Sequence, residues 1–370
     1  MKVLHVITGL GVGGAELQLR QVLQHTRHDA EVVTLYNPGD VAAMIAGDGI
    51  RVRDLGMTRN TQVSAVLKLR ELIRAGGYDV VHTHLYRACV YGRVAARLAG
   101  TGVVVSTEHS IGETHLERRR MTLGVRALYL GTDLCADATI AVSETVAERL
   151  RRWGMPARKI TVIPNGVDFS RVEFDPEARV RVRRELGIAP DAHVVGVLGR
   201  LDPNKRFDLV IESAAPLLGE RTTLLVVGDG PDRERLEAVA RAHEVTGHVV
   251  FAGQRHDVAA VLSALDLFVA SSEQETFGLS VLEAIGNGLP VLYTTCPALV
   301  GIRTDRARQV PGTVDRMSAE IAAELMAARP RADEPAIRAH YGIEAVTSRI
   351  DDLYDRLWQR SRAAVPAGRA

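Results

Sequence analysis

The sequence has few cysteines and few aromatic side chains. Its 370 residues include three cysteines, Cys89, Cys135 and Cys296, and 4% of the residues are aromatic. No two cysteines form a C-x-x-C pair or another metal-ligand spacing, which excludes a disulfide framework and a cysteine-based zinc site. Cysteine usage therefore indicates a reducing compartment.

A strong excess of one charge and long apolar runs are also missing. The 46 Lys and Arg residues nearly balance the 45 Asp and Glu residues, so the net charge of +1 argues against a nucleic-acid-binding protein. No apolar run reaches the roughly 20 residues that span a bilayer. Met1–Thr8 leads directly into a strand pattern, without the apolar core of a signal peptide. We expect a cytoplasmic protein, and peripheral contact with the inner face of the membrane stays open.

Glycine is abundant, and strand patterns alternate regularly with helix patterns. With 33 Gly and 46% hydrophobic residues, the chain can build two cores of ordinary size. The alternation runs from Lys2 to Ile163 and restarts at Val180, which predicts an α/β protein with two mainly parallel sheets. Pro164–Asp168 forms the turn between them. We predict domains over residues 1–167 and 168–342, and a closing amphipathic helix with a tail over 343–370.

The stretch from Ala270 to Leu292 carries two carboxylates, Glu275 and Glu283. A helix that begins near residues 276–278 places Glu275 at its mouth and Glu283 about two turns along it. The free N–H groups at such a helix start form an anion site, which a glycine leaves accessible. A nucleotide fits this pattern, with its diphosphate at the helix start and its ribose hydroxyls against Glu283. The alternative is an ordinary buried helix in which Glu283 pairs with an Arg or Lys.

Cationic side chains follow the first strand of the second domain. Arg200 comes directly after this strand, and Lys205 precedes the next helix. Both can converge on one anion, the Arg as a planar fork and the Lys as a point charge. Ordinary surface salt bridges are the alternative.

A glycine loop follows the first strand of the chain. Gly9, Gly11 and Gly14 match G-x-G-x-x-G, which keeps an NAD-binding module open as an alternative. Such a module also requires an acidic residue at the end of the second predicted strand. Glu31 instead begins that strand, so the NAD interpretation loses one of its two supports.

Histidines lie at two further predicted strand ends. His82 and His84 close one strand, and Glu108 and His109 close the next. Ligands of parallel sheets bind beyond such ends, although a loop carbonyl could equally satisfy each histidine. We reject a zinc site at His82 and His84, because no third ligand follows at a useful spacing.

Taken together, several stretches resemble the family-4 retaining glycosyltransferases, a large group with the two-domain GT-B architecture. The resemblance implies two Rossmann-like domains that face a central cleft, with the last helix returning to the N-terminal domain. It extends over roughly residues 3 to 295. The matching pieces are Gly13–Glu16, His82–His84, Glu108–His109, Ala141–Ser143, Ile163–Asp168, Gly199 and Arg200 with Lys205, Val227–Gly230, Gly253, and Glu275–Leu279 with Glu283.

The resemblance also implies a role for each matching residue. Catalytic roles fall on His109, Arg200, Lys205 and Glu275. Donor-nucleotide contacts fall on Gly13, Gly14, Arg200, Lys205, Gly253, Arg255, Phe277, Gly278, Leu279 and Glu283, with Arg255 acting through its main chain. Glu16, His82 and His84 lie on the acceptor side. The implied reaction moves a sugar from a UDP- or GDP-linked donor to a hydroxyl, in the synthesis of a bacterial surface polysaccharide, a glycolipid or a glycosylated natural product.

We expect no cofactor and no metal requirement. The sequence has no D-x-D pair, the carboxylate motif with which metal-dependent transferases hold a diphosphate. It departs from the family pattern after Pro290–Val291, where Tyr293–Leu299 replaces a glycine-containing turn, so the donor sugar is not specified. An epimerase of the same fold, acting on the sugar nucleotide without an acceptor, remains an alternative.

Basic residues of the N-terminal domain suggest a membrane-facing surface. Arg118, Arg119, Arg120 and Arg126 fall in a predicted helix near Leu116–Leu130, beside apolar residues, and Arg87, Arg93 and Arg97 share the preceding helix. A basic helix with an apolar face can lie on an anionic bilayer. The alternative is a core-facing helix whose arginines are solvated.

Overall fold

The chain folds into two α/β units. The computed structural model describes residues 1–59, 61–111, 115–116, 119–120 and 122–363. Unit 1 comprises Met1–Gly166 and Ile343–Ala370, and unit 2 comprises Val167–Gly342. The chain thus passes from one unit to the other within one residue of each predicted boundary.

Unit 1 is built on a seven-stranded parallel sheet of order β3-β2-β1-β4-β5-β8-β9, with a separate antiparallel pair β6–β7. Its strands are β1 (Lys2–Ile7), β2 (Asp29–Thr34), β3 (Val52–Asp54), β4 (Val80–His84), β5 (Val103–Glu108), β6 (His115–Leu116), β7 (Arg119–Arg120), β8 (Ala138–Ala141) and β9 (Ile160–Val162). Its helices are α1 (Gly14–His25), α2 (Gly39–Gly47), α3 (Ser64–Gly76), α4 (Tyr86–Ala99), α5 (Leu123–Asp133), α6 (Glu144–Trp153) and the last helix of the chain, α14 (Ile343–Ala363).

The last helix completes the core of unit 1. Val346, Ile350 and Leu353 of α14 pack with Val80 and Val105 of the central strands. These strands are valine-rich and buried on both faces, as parallel strands between two helical layers are. The expected return of the closing helix to the N-terminal domain is confirmed.

Unit 2 is built on a six-stranded parallel sheet of order β12-β11-β10-β13-β14-β15. Its strands are β10 (His193–Leu198), β11 (Thr222–Val227), β12 (Val249–Gly253), β13 (Leu267–Ala270), β14 (Val291–Tyr293) and β15 (Ala307–Gln309). Its helices are α7 (Pro176–Glu185), α8 (Phe207–Ala214), α9 (Arg233–Ala242), α10 (Val258–Ala264), α11 (Leu279–Gly286), α12 (Val314–Ala327) and α13 (Pro335–Tyr341). The alternation expected from the sequence did not include three of the observed helices, α2, α12 and α13.

The predicted helix over Leu116–Leu130 is wrong in its first half. The helix α5 begins at Leu123, where the Thr122 hydroxyl accepts a hydrogen bond from the Val125 N–H, and Arg119 and Arg120 lie in a strand. Thr122 is a favourable N-cap residue, and this start signal outweighs the apolar periodicity that precedes it. Within the described residues, no helix has both the length and the apolarity needed to cross a membrane.

Candidate functional site

In unit 2 the mouth of α11 is an uncapped helix start. The helix begins at Leu279, and among the described residues no side-chain hydrogen bond caps this end. Gly278 precedes it with φ of 107°, and a Cβ atom there would lie 2.5 Å from the Cys296 sulfur. Only glycine combines this backbone with this close contact. The N–H groups at the start of α11 therefore remain available to an anion, as expected for Phe277, Gly278 and Leu279.

Glu275 and Lys205 meet beside this helix start. The Lys205 Nζ lies 2.9 Å from a carboxylate oxygen of Glu275, and the Thr276 N–H donates to the other oxygen. Burial alone would raise the pKa of Glu275, but the Lys205 ammonium and the Thr276 N–H hold this pKa below its usual value. Glu275 is therefore ionised at neutral pH, and the pair forms one wall of the site.

Asn204 fixes the two loops that carry this pair. Its side-chain N–H donates to the Gln274 carbonyl at 2.7 Å, and its side-chain oxygen accepts from the Gln274 N–H at 3.1 Å. The Ser271 hydroxyl donates to the carbonyls of Lys205 and Arg206. The sequence analysis named neither Asn204 nor Ser271. Asn204 was missed because Asp-Pro-Asn after a strand is also an ordinary turn sequence.

Two glycines bring the β10 and β11 loops into contact beside Arg200. A Cβ atom on Gly228 would lie 1.9 Å from the Gly199 carbonyl oxygen, and one on Gly230 would lie 2.2 Å from the Leu201 carbonyl oxygen. Both glycines have positive φ, so this contact depends on them. The Arg200 side chain is exposed, and it neither donates a hydrogen bond to nor forms an ion pair with any other described residue.

Glu283 is an unpaired, partly buried carboxylate. It lies in the second turn of α11, and no described side chain or N–H group contacts its oxygens with a hydrogen bond or an ion pair. Burial raises the pKa of Glu283 to about 7. The alternative in which Glu283 pairs with an Arg or Lys is not found among the described residues.

Gly253 and Arg255 lie at the end of β12. Gly253 closes the strand with φ of 68°. The Arg255 guanidinium is paired with Glu185 and Asp257 within unit 2. Its side chain is thus engaged in the protein, and the contact with a base through its main chain stays a prediction.

The glycine loop of unit 1 leads into α1. The helix begins at Gly14 with Gly13 as an extended N-cap residue, and no side chain caps it. A Cβ atom on Gly13 would lie 2.4 Å from a Glu16 carboxylate oxygen, so Glu16 folds back over the loop. This is the orientation expected of a residue that fixes the loop.

A third histidine, His5, lies on β1, the strand that pairs with the strand of His82 and His84. The register of β1 and β4 places His5 opposite His82, and one ring nitrogen each of His5, His82 and His84 lies within 4.8 Å of the others. The absence of a third ligand, the reason for rejecting a metal site at His82 and His84, is therefore wrong, because His5 can be that ligand. His82, however, hydrogen-bonds through one nitrogen to the Tyr354 hydroxyl and through the other to the Thr107 hydroxyl at 2.7 Å. It has no nitrogen left for an acceptor or an ion in this arrangement.

Of the arginines named for the predicted basic surface, Arg93, Arg97 and Arg126 make contacts within unit 1, and membrane contact stays a prediction. Arg126 donates to the carbonyls of Arg152 and Trp153, Arg93 is fully buried near Asp133, and Arg97 pairs with Asp137. These side chains cap and link elements of unit 1. Arg118 and the side chains of Arg119 and Arg120 lie outside the described residues.

Two family models match the chain, one in each unit. Residues 11–171 match "Glycosyltransferase Family 4", and residues 179–325 match "Glycosyl transferases group 1". Neither an NAD-binding module nor an epimerase is favoured by these matches.

Curated relatives are glycosyltransferases of bacteria. The chain is 30% identical over 241 residues to the Escherichia coli UDP-Gal:alpha-D-GlcNAc-diphosphoundecaprenol alpha-1,3-galactosyltransferase, a match that covers 63% of this chain and 62% of the relative. It is also 30% identical over 316 residues to the Geodermatophilus obscurus D-inositol 3-phosphate glycosyltransferase, covering 78% of this chain and 68% of that protein.

Solved structures share the fold. Anabaena Alr3699/HepE in complex with UDP superposes with a TM-score of 0.84 at 21% identity, over 96% of this chain and all of that one (100%). Sucrose-phosphate synthase from Thermosynechococcus elongatus gives a TM-score of 0.77 at 21% identity, over 97% of this chain and 100% of that one. The two parallel-sheet units are those of the GT-B fold. Because the family models match both units and the Geodermatophilus relative is covered over 68% of its length, the chain belongs to the family-4 glycosyltransferases.

Proposed function

We propose that this glycosyltransferase moves a sugar from a UDP- or GDP-linked donor to a hydroxyl acceptor, with retention of anomeric configuration. The observation that carries the proposal is Glu283, a partly buried carboxylate without a partner among the described residues, about one turn from the uncapped start of α11. A buried carboxylate is costly unless hydrogen bonds satisfy it, and two neighbouring ribose hydroxyls would donate such bonds.

The leaving group of this reaction is a nucleoside diphosphate, which gains negative charge as the glycosidic bond breaks. The exposed guanidinium of Arg200, the ammonium of Lys205 and the N–H groups at the start of α11 are the positive groups of unit 2 that can stabilise this charge. Glu275, ionised and fixed by Lys205, can accept hydrogen bonds from hydroxyls of the donor sugar. Phe277 and Leu279 act through their main chain, and Gly253 and Arg255 do so toward the base.

The residues of unit 1 are proposed to bind the acceptor and the transferred sugar. Gly13 and Gly14 of the glycine loop are proposed to approach the phosphate and sugar of the donor, and Glu16 to orient this loop. His109 is proposed to contact the transferred sugar, whereas both ring nitrogens of His84 face other histidines, His5 and His109. The acceptor is a hydroxyl of a glycolipid, a surface-polysaccharide precursor or a small natural product. The Escherichia coli relative, whose acceptor is a diphosphoundecaprenol-linked sugar, supports the first of these classes.

Retention without a covalent intermediate is the mechanism we favour. The bond between the anomeric carbon and the phosphate oxygen breaks, the acceptor oxygen bonds to the same face of that carbon, and the acceptor proton passes to the leaving phosphate. A covalent sugar adduct trapped on Glu275 or on any residue of unit 1 would contradict this mechanism.

No metal ion is needed for this arrangement, since the cationic groups are supplied by the protein. We expect full turnover in EDTA, measured as nucleoside diphosphate release after extensive dialysis against the chelator. Activity that disappears in EDTA and returns with Mg²⁺ or Mn²⁺ would contradict the proposal of a metal-independent reaction.

The donor is tested by binding and then by turnover. A thermal-shift panel of nucleoside diphosphates is expected to show stabilisation by UDP or GDP, followed by slow hydrolysis of the matching sugar nucleotide. Glu283→Gln is expected to lower the affinity for the nucleotide about tenfold, the effect of one charge-assisted hydrogen bond. Glu220→Gln, at an exposed residue of unit 2, is the matched control. Equal affinities of the two variants would refute the assignment of Glu283.

A further inference from the structure

Three buried imidazoles form a connected row in unit 1, which we call the histidine row: His5, His84 and His109. His5 Nδ1 lies 3.0 Å from His84 Nε2, and His84 Nδ1 lies 3.4 Å from His109 Nε2. The three side chains come from β1, from the end of β4 and from the residue after β5, and all three residues are at most 9% exposed. Each link joins ring nitrogens directly.

All three imidazoles are neutral at pH 7. Burial lowers the pKa of His5 to about 3 and that of His109 to about 4, and it lowers the pKa of His84 well below its ordinary value. A neutral imidazole carries one N–H and one lone pair. Each link needs an N–H on one side and a lone pair on the other, so the tautomers of the three rings are coupled.

Two arrangements satisfy both links. In the first, the Nδ1–H of His5 donates to His84, and the Nδ1–H of His84 donates to Nε2 of His109. In the second, every direction is reversed and His109 Nε2–H donates to His84. The first leaves His109 with an N–H at Nδ1, and the second leaves it with a lone pair there.

The free end of the row is a buried nitrogen. His109 Nδ1 has no hydrogen-bond partner among the described residues, although it is shielded from solvent. A buried polar atom without a partner needs an explanation, and a catalytic role, a bound ligand or an ordered water can supply it. A donor at this atom can bind either a phosphate oxygen or a sugar hydroxyl, whereas a lone pair can bind only the hydroxyl.

We propose that His5 and His84 are positioning residues that hold His109 in its Nδ1–H tautomer, so that this N–H donates to an oxygen of the bound substrate. The inference rests on the proposed transferase function for the substrate, while the tautomer itself does not depend on it. Burial makes the His109 imidazole a weak base and therefore a poor hydrogen-bond acceptor. For this reason we choose the first arrangement, which leaves an N–H at His109 Nδ1.

The surroundings of His84 fix its ring. Leu85, the next residue, has φ of 72° and ψ of 154°, a backbone region that strongly favours glycine. The His82 ring lies against His84 in a tilted arrangement, with 4.1 Å between the ring centroids, and His82 itself is hydrogen-bonded to the Tyr354 and Thr107 hydroxyls. The strained backbone of Leu85 thus directly follows His84, the middle residue of the histidine row.

The tautomer of His109 can be read directly by ¹⁵N NMR of the full chain, labelled at the histidine rings. Protonated and unprotonated ring nitrogens resonate in separate ranges, and the spectrum of His109→Gln assigns the His109 signals. We expect one His109 species, with its proton on Nδ1. A proton on Nε2, or an equal mixture of both tautomers in the unmodified protein, would overturn the proposal without any variant.

Two substitutions at His84 separate hydrogen bonding from packing. His84→Phe fills the volume but removes the donor, and we expect a mixed His109 tautomer. His84→Asn keeps an N–H at the Nδ1 position and should restore the single tautomer. Tyr354→Phe removes one of the two hydrogen bonds of His82 and none within the row, so it should change the His109 spectrum far less than His84→Phe does. An unchanged His109 spectrum in His84→Phe would contradict the proposal.

A metal bound by His5, His82 and His84 is the competing explanation of the cluster. Stoichiometric Zn²⁺ should leave the histidine spectrum of the unmodified chain unchanged. If Zn²⁺ shifts the ring signals of His5, His82 and His84 together and raises the melting temperature, the cluster is a metal site and the proposal of a hydrogen-bonded row is contradicted.

Turnover provides the functional test. We expect His84→Phe to lower kcat about tenfold, the effect of one lost hydrogen bond, with nucleotide affinity unchanged and with recovery in His84→Asn. A kcat equal to that of the unmodified enzyme would overturn the role in substrate binding. If the unmodified protein binds no nucleoside diphosphate, the proposed function fails, whereas the tautomer measurement still decides the row.

Discussion

Two glutamates of one site, Glu275 and Glu283, have opposite electrostatic environments. Lys205 and the Thr276 N–H hold the pKa of Glu275 below its usual value despite burial. Burial raises the pKa of Glu283 to about 7, and none of the described cationic side chains pairs with it. Pairs of carboxyl groups with separated pKa values commonly take different roles in one site. The difference in pKa is consistent with the two proposed roles, Glu275 toward the donor sugar and Glu283 toward the ribose.

The raised pKa of Glu283 predicts a pH-dependent stability. Its pKa is about 7 in the folded state against 4.5 in the unfolded state, so between these values the folded state holds the additional proton. The free energy of unfolding of the ligand-free protein should therefore fall as the pH rises through this window, relative to Glu283→Gln. Urea unfolding at pH 5 and pH 8 measures this difference, with Glu220→Gln as control. A constant difference between the unmodified protein and Glu283→Gln would contradict the assigned pKa.

Gly278 is the residue for which a single methyl group should have the largest local effect. Gly278→Ala adds a Cβ atom 2.5 Å from the Cys296 sulfur and retains a positive φ, so we expect a loss of about 1–3 kcal/mol in unfolding free energy. Cys296→Ala should recover the part of this loss that comes from the collision. Gly247→Ala, where a Cβ atom meets nothing within 4 Å, is the matched control. Equal stability of Gly278→Ala and Gly247→Ala would disprove the packing argument.

At the scale of elements, two loops act as one unit because Asn204 joins them. It bonds both backbone groups of Gln274, and the Glu273 N–H donates to the Asn204 carbonyl at 2.9 Å. The ion pair of Lys205 with Glu275 forms between the neighbours of these residues. Its geometry is therefore set by the loop contact before any substrate binds.

Asn204→Ala should reduce turnover without removing any proposed contact to the donor. Loss of the two side-chain hydrogen bonds frees the Glu275 loop, and misplacement by about 1 Å can lower the rate by up to about 100-fold. Steady-state kinetics with the sugar nucleotide measures the effect. Asn204→Asp keeps the oxygen that accepts from the Gln274 N–H, so its kcat should lie between those of the unmodified enzyme and Asn204→Ala. An Asn204→Ala enzyme with unchanged kcat and KM would show that the loops are positioned by other contacts.

Local patterns predicted the elements better than the contacts between them. The alternation of strands and helices, the start of α11 and the placement of Glu275 and Glu283 follow from short-range rules of periodicity and helix geometry. The approach of His5 to His82 depends instead on the register of two strands, β1 and β4, that are distant in sequence. The hydrogen bonds of Arg126 could not be predicted for the same reason, because the carbonyls that accept them lie at the end of another element, α6.

At the scale of the whole molecule, the two units differ in how the chain forms them. Unit 2 is one continuous segment, whereas unit 1 needs the last helix of the chain to cover its sheet. Asp351 of α14 also accepts hydrogen bonds from the Thr26 hydroxyl at 2.7 Å and from the Arg27 N–H at 3.0 Å. The amino- and carboxyl-terminal parts of the chain must therefore fold together, while unit 2 contains its complete sheet.

This difference predicts that damage to α14 unfolds unit 1 and leaves the nucleotide site of unit 2 in place. Val346 is fully buried against the sheet of unit 1, and its neighbour Ala345 is exposed. Val346→Asp buries a charge without a partner, which costs several kcal/mol, a large fraction of the stability of about 5–15 kcal/mol that is typical of a domain. Hydrogen exchange read by mass spectrometry should show lost protection in β1, β4 and β5 and retained protection in β10 and β13. Thermal shift by UDP or GDP should persist in the same variant, since Arg200, Lys205 and Glu283 all belong to unit 2. Ala345→Asp on the same helix should behave as the unmodified protein, and loss of protection in both units of Val346→Asp would instead show that they unfold as one.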